Sequence, residues 1–293
     1  MTTKVTFPRA FGWLPEAAGQ YDDLRGVSGE PLGPNPDASE LLTGAAPPPS
    51  EFVGLVASLP SFKNQDITNT CVVHTIANIA EGTLAATTGK PVEPSSVPQL
   101  YATANALITD PGVPLSDDGT YARVAMLVAK EWGVARDADW PFRDAQTGQI
   151  IAGIVTTRVP PDVLQRASSW KLEEQRTIYA TGPDRLRTVE GIIAGLGGVP
   201  TAFVVDGAFL DYDGRGVLGA PNPRDFRGRH MVGIVGYRTN AQTKKREYLI
   251  ANSWRMWGLT FQGRQGMAWV SEEWIHAQEE MYQMRVTRRR WAR

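Results

Sequence analysis

The chain has 293 residues, 42% of them hydrophobic and 21% charged, with a formal net charge of -1. That length allows one large domain or two ordinary ones with ample core, and the near-zero charge implies no bulk affinity for nucleic acid or membrane. No apolar run approaches the ~18 residues that span a bilayer, and the N-terminus lacks the apolar core of a signal peptide. The single cysteine excludes an internal disulfide and a cysteine-rich zinc site. A reducing, cytoplasmic or otherwise non-secreted setting follows from that usage; a virion-associated or injected effector has the same composition.

Residues 1–50 are rich in Gly, Pro and small polar residues and end in Ala45-Ala46-Pro47-Pro48-Pro49, with Phe7, Phe11, Trp13, Leu14 and Tyr21 as isolated anchors. This reads as an arm on the main body followed by a linker. A packed extension is preferred to an inhibitory pro-segment, because the stretch has little helical periodicity. A helix is expected over about 70–88, stopped by Gly89 and Pro91. Further helices are expected at 98–108, 120–132, 161–172 and 184–196. Residues 109–119 form a Gly/Pro/Asp loop, and 146–160 read as loop or short strand. Strand-like runs follow at 199–205, 230–236, 246–252 and 266–270, with Gly and Asp turns that argue for an antiparallel sheet. Residues 271–284 fit a short helix or a closing strand. The end, 285–293, is a basic tail carrying Arg285, Arg288, Arg289, Arg290 and Arg293, expected to be solvated or to meet an acidic partner. The expected architecture is α+β: a helical half over about 51–145 and a β-rich, open barrel-like half over about 146–284, with a cleft between them.

The chemistry concentrates at Cys71, where a polar segment becomes the apolar run Val72, Val73, Ile76, Ala77, Ile79, Ala80, Leu84. A cysteine in the first turn of a helix meets free N–H groups and the positive end of the dipole, which favour its thiolate. Cys71 is therefore read as a nucleophile, and it needs a base. Of the three histidines, His74 sits among Val73, Ile76 and Ala77 and reads as a core residue, while His276 lies in a Glu-rich segment. His230 opens an apolar strand after a polar loop, which holds the ring rigidly at the rim of a cleft. Asn252 ends the REYLIAN run, and its side-chain oxygen can fix the tautomer of that histidine. Trp254 beside it can shield the contact from water. Gln65, six residues before the cysteine, is a plausible oxyanion donor alongside the Cys71 N–H.

Lys63-Asn64-Gln65 followed by Cys71 at a helix start resembles the papain-like cysteine peptidases. The resemblance recurs in register: Asp118-Gly119-Thr120-Tyr121, Trp140-Pro141-Phe142, the HMVGIVGY run from His230, and Asn252-Ser253-Trp254 with Trp257-Gly258. It covers roughly residues 51–280 and is similar to the branch without disulfides. The gaps, 230 − 71 = 159 and 252 − 71 = 181, are longer than the ~130–150 usual in the family, so insertions are implied. The resemblance implies Cys71 as nucleophile, His230 as base and acid, Asn252 as its orienting residue and Gln65 as oxyanion donor. It implies that Gly119, with Thr120 beside it, hydrogen-bonds an extended peptide, that Trp254 shields the histidine, and that no cofactor or metal is needed. The expected partner is a peptide or protein substrate. Asn69, Thr70 and Val72 depart from the family pattern around the cysteine, and Arg229 makes the field before the histidine more positive. These departures leave two other functions open: an inactive papain-fold interaction protein, and an acyl transferase using the same thioester.

Overall fold

A computed structural model describes residues 11–25, 28–34, 36–38, 49–59, 63–166, 170–254 and 256–287. The helical half starts with a short α1, Gly54–Ser58. The dominant helix is α2, Cys71–Thr88, whose first ten residues are nearly all buried. It ends as expected at Gly89, which takes the left-handed conformation (φ 62°) and donates its N–H to the Ala85 carbonyl. Helix α3, Val97–Ile108, is started by the Ser96 hydroxyl accepting the Gln99 N–H. Helix α4, Ala122–Glu131, turns Val124, Ala125, Met126, Val128 and Ala129 into the core and keeps Lys130 outside.

The helix expected over 161–172 is shorter. Helix α5 spans Pro161–Arg166, and Lys171 already begins a strand, β1, Lys171–Thr177. Its residues, KLEEQRT, are good helix formers, but β8, Glu280–Thr287, pairs with them antiparallel, and that pairing overrides propensity. Residues 271–284 supply both readings at once: α8, Glu272–His276, is capped by Ser271, and β8 follows. Arg285 lies within β8 and pairs with Glu173 at 2.8 Å. The calls for residues 1–10, 39–48 and 288–293 lie outside the described residues.

The remaining elements are α6 (Gly182–Ala194), β2 (Val199–Val205), α7 (Gly207–Leu210), β3 (Val217–Leu218), β4 (Gly228–Thr239), β5 (Arg246–Ala251), β6 (Leu259–Phe261) and β7 (Arg264–Ser271). The strands form one sheet in the order β1-β8-β2-β4-β5-β7-β3, with β6 on β7. All pairings are antiparallel except β3 with β7, and the sheet does not close on itself. Alternation along the central strands separates two cores. Met231 and Ala202 face the helical half and join Cys71, Val72 and Ile76 there. Val232 and Phe203 face the other side with Val189, Ile193 and Trp274.

Helix α2 packs on β4 so closely that a Cβ at Gly233 would stand 2.7 Å from Ile79 Cδ1. Ile79 is itself buried and has little room to yield. Gly233→Val is therefore expected to destabilise the protein by about 1–3 kcal/mol through overpacking. The measurement is a chemical denaturation curve, whose midpoint should fall with its slope unchanged.

Candidate active site

The helical half contributes Cys71, the first residue of α2. The sheet contributes His230, near the start of β4, and Asn252, just past the end of β5. The Cys71 thiol is fully buried against the backbone of Met231, the residue after His230, and of Gly12. Burial pushes the thiol up to about 12. The backbone groups of Met231, Gly12, Val72 and Cys71 act the other way but do not outweigh it.

The histidine's tautomer follows from its partners. Asn252 Oδ1 accepts the backbone N–H of Ser253 at 2.7 Å, which fixes the oxygen of that side-chain amide. The same oxygen lies 2.7 Å from His230 Nε2, so Nε2 must carry the proton. Nδ1 then holds a lone pair. It is buried, with no hydrogen-bond partner among the described residues. Trp254 stacks on the imidazole at 4.2 Å and 24°, and Phe203 and Phe209 approach it edge-on or tilted. Burial in this aromatic box lowers the histidine to about 4, with Asn252 opposing. Both members of the expected pair are thus held neutral.

Gln65 is buried and firmly placed. Its Oε1 accepts the Ser253 hydroxyl at 2.6 Å, its Nε2 donates to the Thr68 carbonyl at 2.8 Å, and its backbone N–H donates to the Ser253 carbonyl. Ser253 is thus a tie between the asparagine strand and the glutamine loop, a role that only the fold makes visible. Asn69 and Thr70, the departures beside the cysteine, are turned inward. Asn69 bonds to Asp117 through both its backbone N–H and its side-chain amide, and Thr70 shares a 2.7 Å contact with Thr68. Val72 is core. His74 is a core residue with Nδ1 3.0 Å from the Thr70 carbonyl, and burial lowers it to about 3. Arg229 lies over the Phe226 ring and 3.8 Å from Glu279.

Gly119 adopts φ 106°, a conformation that favours glycine. Its own polar groups are engaged: the N–H donates to Tyr101 Oη at 2.9 Å and the carbonyl accepts from Asn105. The backbone that pairs across to another segment is that of Thr120, one residue further on.

Its partner is the N-terminal arm. Thr120 donates its N–H to the Gly12 carbonyl at 2.9 Å and accepts the Leu14 N–H at 3.1 Å, a parallel pairing centred on Trp13. On the sheet side, Phe11 packs edge-on against Trp254 at 5.9 Å and lies directly over Gly228. Between these anchors Gly12 crosses the seam. A Cβ there would overlap the Asn69 carbonyl, and one at Gly119 would come within 2.7 Å of the Gly12 carbonyl. Further along, Glu16 and Asp22 both pair with Arg123 of α4, at 2.5 and 2.9 Å. Trp13, read from the sequence as an isolated anchor, is therefore a plug beside the thiol.

A long buried helix whose first residue is a cysteine, set against an open sheet carrying a tethered histidine–asparagine pair, defines the class of papain-like folds. The chain belongs to the papain family of cysteine proteases, whose family model matches residues 56–278. Sequence comparison with curated proteins finds no match. Among solved structures, xylellain, a cysteine protease from Xylella fastidiosa, shares 18% identity, covering 97% of this chain and 98% of that one, with a TM-score of 0.67. Procathepsin B from Trypanosoma congolense shares 13%, covering 94% and 87%, with a TM-score of 0.65. Digestive procathepsin L 3 from the larval midgut of Tenebrio molitor shares 18%, covering 82% and 71%, with a TM-score of 0.59. At these identities the likeness is one of fold. Among the described residues no helix is long and apolar enough to cross a membrane.

Proposed function

We propose that the chain is a thiol peptidase whose cleft is covered by its own arm. The observation that carries the reading is the tautomer of His230. With Nε2–H committed to Asn252, the Nδ1 lone pair is left to take a proton from a thiol. Once the arm withdraws and water enters, the proton of Cys71 passes to Nδ1. The thiolate then attacks the carbonyl carbon of a peptide that has replaced residues 11–14 along Thr120. The carbonyl electron pair moves to oxygen, where the Cys71 N–H and the Gln65 amide stabilise it. His230 returns the proton to the leaving amine, and a thioester remains on sulfur. Water, deprotonated by the same histidine, hydrolyses the thioester, releasing the acid and restoring the thiol. A reducing compartment suits a chain whose one cysteine carries this chemistry.

The test is a peptidyl epoxide incubated with the Trp13→Ala protein at pH 6, followed by peptide mapping. Rapid modification of Cys71, at least about 100-fold faster than that of a free thiol such as glutathione, is the expected result. Labelling no faster than glutathione would instead favour an inactive scaffold. If peptide turnover in the presence of a primary amine yields mainly the amide, the chain is an acyl transferase.

A further inference from the structure

Two stretches of backbone meet the arm at Gly12, and neither belongs to a helix or a strand. On one side is Asn69, two residues before Cys71, in the irregular turn 65–70. A Cβ on Gly12 would fall 1.8 Å from the Asn69 carbonyl oxygen, so the two backbones are in direct contact. On the other side is Thr120, at the end of the loop that follows α3, and its N–H reaches the Gly12 carbonyl at 2.9 Å. A loop of this kind keeps its shape only where groups outside it satisfy its backbone. No disulfide can tie the two stretches, because the one cysteine of the chain is Cys71.

A single side chain joins them instead. Asp117, half-buried and three residues before Thr120, accepts the Asn69 backbone N–H on both carboxylate oxygens, at 3.0 and 3.2 Å. Its own backbone carbonyl accepts the Asn69 side-chain amide at 2.5 Å. Hydrogen bonds to a carboxylate are roughly twice as strong as neutral ones. Oδ1 also accepts the Tyr101 hydroxyl at 2.9 Å, and Tyr101 is fully buried in α3, so the carboxylate is fixed to a rigid element. The same hydroxyl accepts the Gly119 N–H at 2.9 Å, and Asn105, one turn further along α3, donates to the Gly119 carbonyl. Contacts therefore run without a break from Asn69 through Asp117 and Tyr101 to Gly119, the residue before Thr120.

We propose that Asp117 is a positioning residue for peptide hydrolysis. It sets the separation of the Asn69 and Thr120 backbones, and so the line along which a peptide held on Thr120 presents its carbonyl to the Cys71 thiolate. The role rests on the peptidase reading. It works through the placement of backbone and not through the acidity of the thiol, and two reagents tell these apart. Iodoacetamide is small and needs only a thiolate. A peptide needs the thiolate and the correct separation, and a displacement of about 1 Å can cost about 10²-fold in rate.

The experiment uses the full chain carrying Trp13→Ala, alone and with Asp117→Leu, Asp117→Asn or Tyr101→Phe. Leucine keeps the branched shape of the aspartate without an acceptor, and asparagine keeps an acceptor oxygen in the same place. Each protein is read twice: kcat and KM on coumarin-tagged tetrapeptides, per titrated Cys71, and the rate constant for alkylation of Cys71 by iodoacetamide. Asp117→Leu is expected to lower kcat/KM by about 10–100-fold, mostly through kcat, with alkylation within about twofold of the parent. Asp117→Asn should stay within about threefold of the parent, because the acceptor remains. Tyr101→Phe should cost about 3–10-fold, and adding it to Asp117→Leu should cost nothing further, because both cut one network. Tyr101→Phe adds no bulk and carries the test if Asp117→Leu does not fold. Peptide rates unmoved by Asp117→Leu and Tyr101→Phe would overturn the role. An equal fall in alkylation would overturn it too, by placing the effect on the thiol. A Trp13→Ala parent that cleaves none of the peptides would overturn the peptidase reading and this role with it.

Discussion

Cys71→Ser is expected to lower peptide hydrolysis by about 10⁴-fold or more, and His230→Ala by a similar factor, with the circular dichroism spectrum of each protein unchanged. Removing the nucleophile or the base of an acyl-transfer triad costs on the order of 10⁶ in kcat where the residues act as a unit. The residual rate comes from the oxyanion donors and binding alone. The serine variant keeps the shape of the site but loses the acidity that lets a neutral imidazole take the proton. Asn252→Ala should cost less, about 10–100-fold. Its effect is indirect: without Oδ1 the Nε2–H is left buried without an acceptor, and the tautomer with Nδ1 free is no longer favoured. The three variants are compared by steady-state hydrolysis of one peptide substrate. An Asn252→Ala loss as deep as that of Cys71→Ser would mean that asparagine takes part in the chemistry itself. A Cys71→Ser protein with wild-type activity would remove the thiol from the mechanism altogether.

The placement of Cys71, His230 and Asn252 was readable in the sequence because each carries its reason locally. Cys71 opens an apolar helix, His230 opens an apolar strand, and Asn252 closes one. Those boundaries survive folding almost unchanged, at Cys71–Thr88, Gly228–Thr239 and Arg246–Ala251. What could not be read locally was decided by pairing across the chain. Lys171–Thr177 has helical composition and becomes a strand because β8, more than a hundred residues away, lies beside it. Thr120 rather than Gly119 pairs its backbone with the arm, while Tyr101 and Asn105 claim the glycine's polar groups. The arm is the strongest case. Trp13, Gly12 and Glu16 show no periodicity and have no neighbours in sequence to explain them. Their meaning appears only when Thr120, Asn69, Arg123 and Glu280, spread over more than two hundred residues, converge on them. Glu280, set in a Glu-rich run, belongs to the same convergence: its partners are the indole of Trp13 and the hydroxyl of Tyr282.

Trp13→Ala is expected to raise the rate of Cys71 alkylation by iodoacetamide at pH 7 by about 100-fold or more, and to change its dependence on pH. Under the arm the thiol is held near 12, so at pH 7 only about one molecule in 10⁵ is thiolate. Without the plug, water reaches the pair, and a cysteine at a helix start beside an imidazolium typically titrates at about 3.5–7.5. The full 10⁵ is not gained, because a less basic thiolate is a weaker nucleophile. With a Brønsted coefficient of about 0.4–0.5, a fall of about seven pKa units takes back roughly three powers of ten. What remains is about 100-fold, before any gain in access is counted. The sign of the pH effect separates the two states. In the covered protein the rate should climb about tenfold per pH unit through neutrality, because the reactive species is a rare thiolate. In the opened protein it should be nearly flat between about pH 5 and 8, where the thiolate–imidazolium pair persists, and should fall only as acid protonates the sulfur. Arg123→Gln, which loosens Glu16 and Asp22 but leaves Trp13 in place, should fall between them. A Trp13→Ala protein that alkylates no faster than wild type at pH 6 and still climbs tenfold per unit would mean that something other than the arm keeps Cys71 neutral. The burial would then be a property of the helix–sheet seam itself.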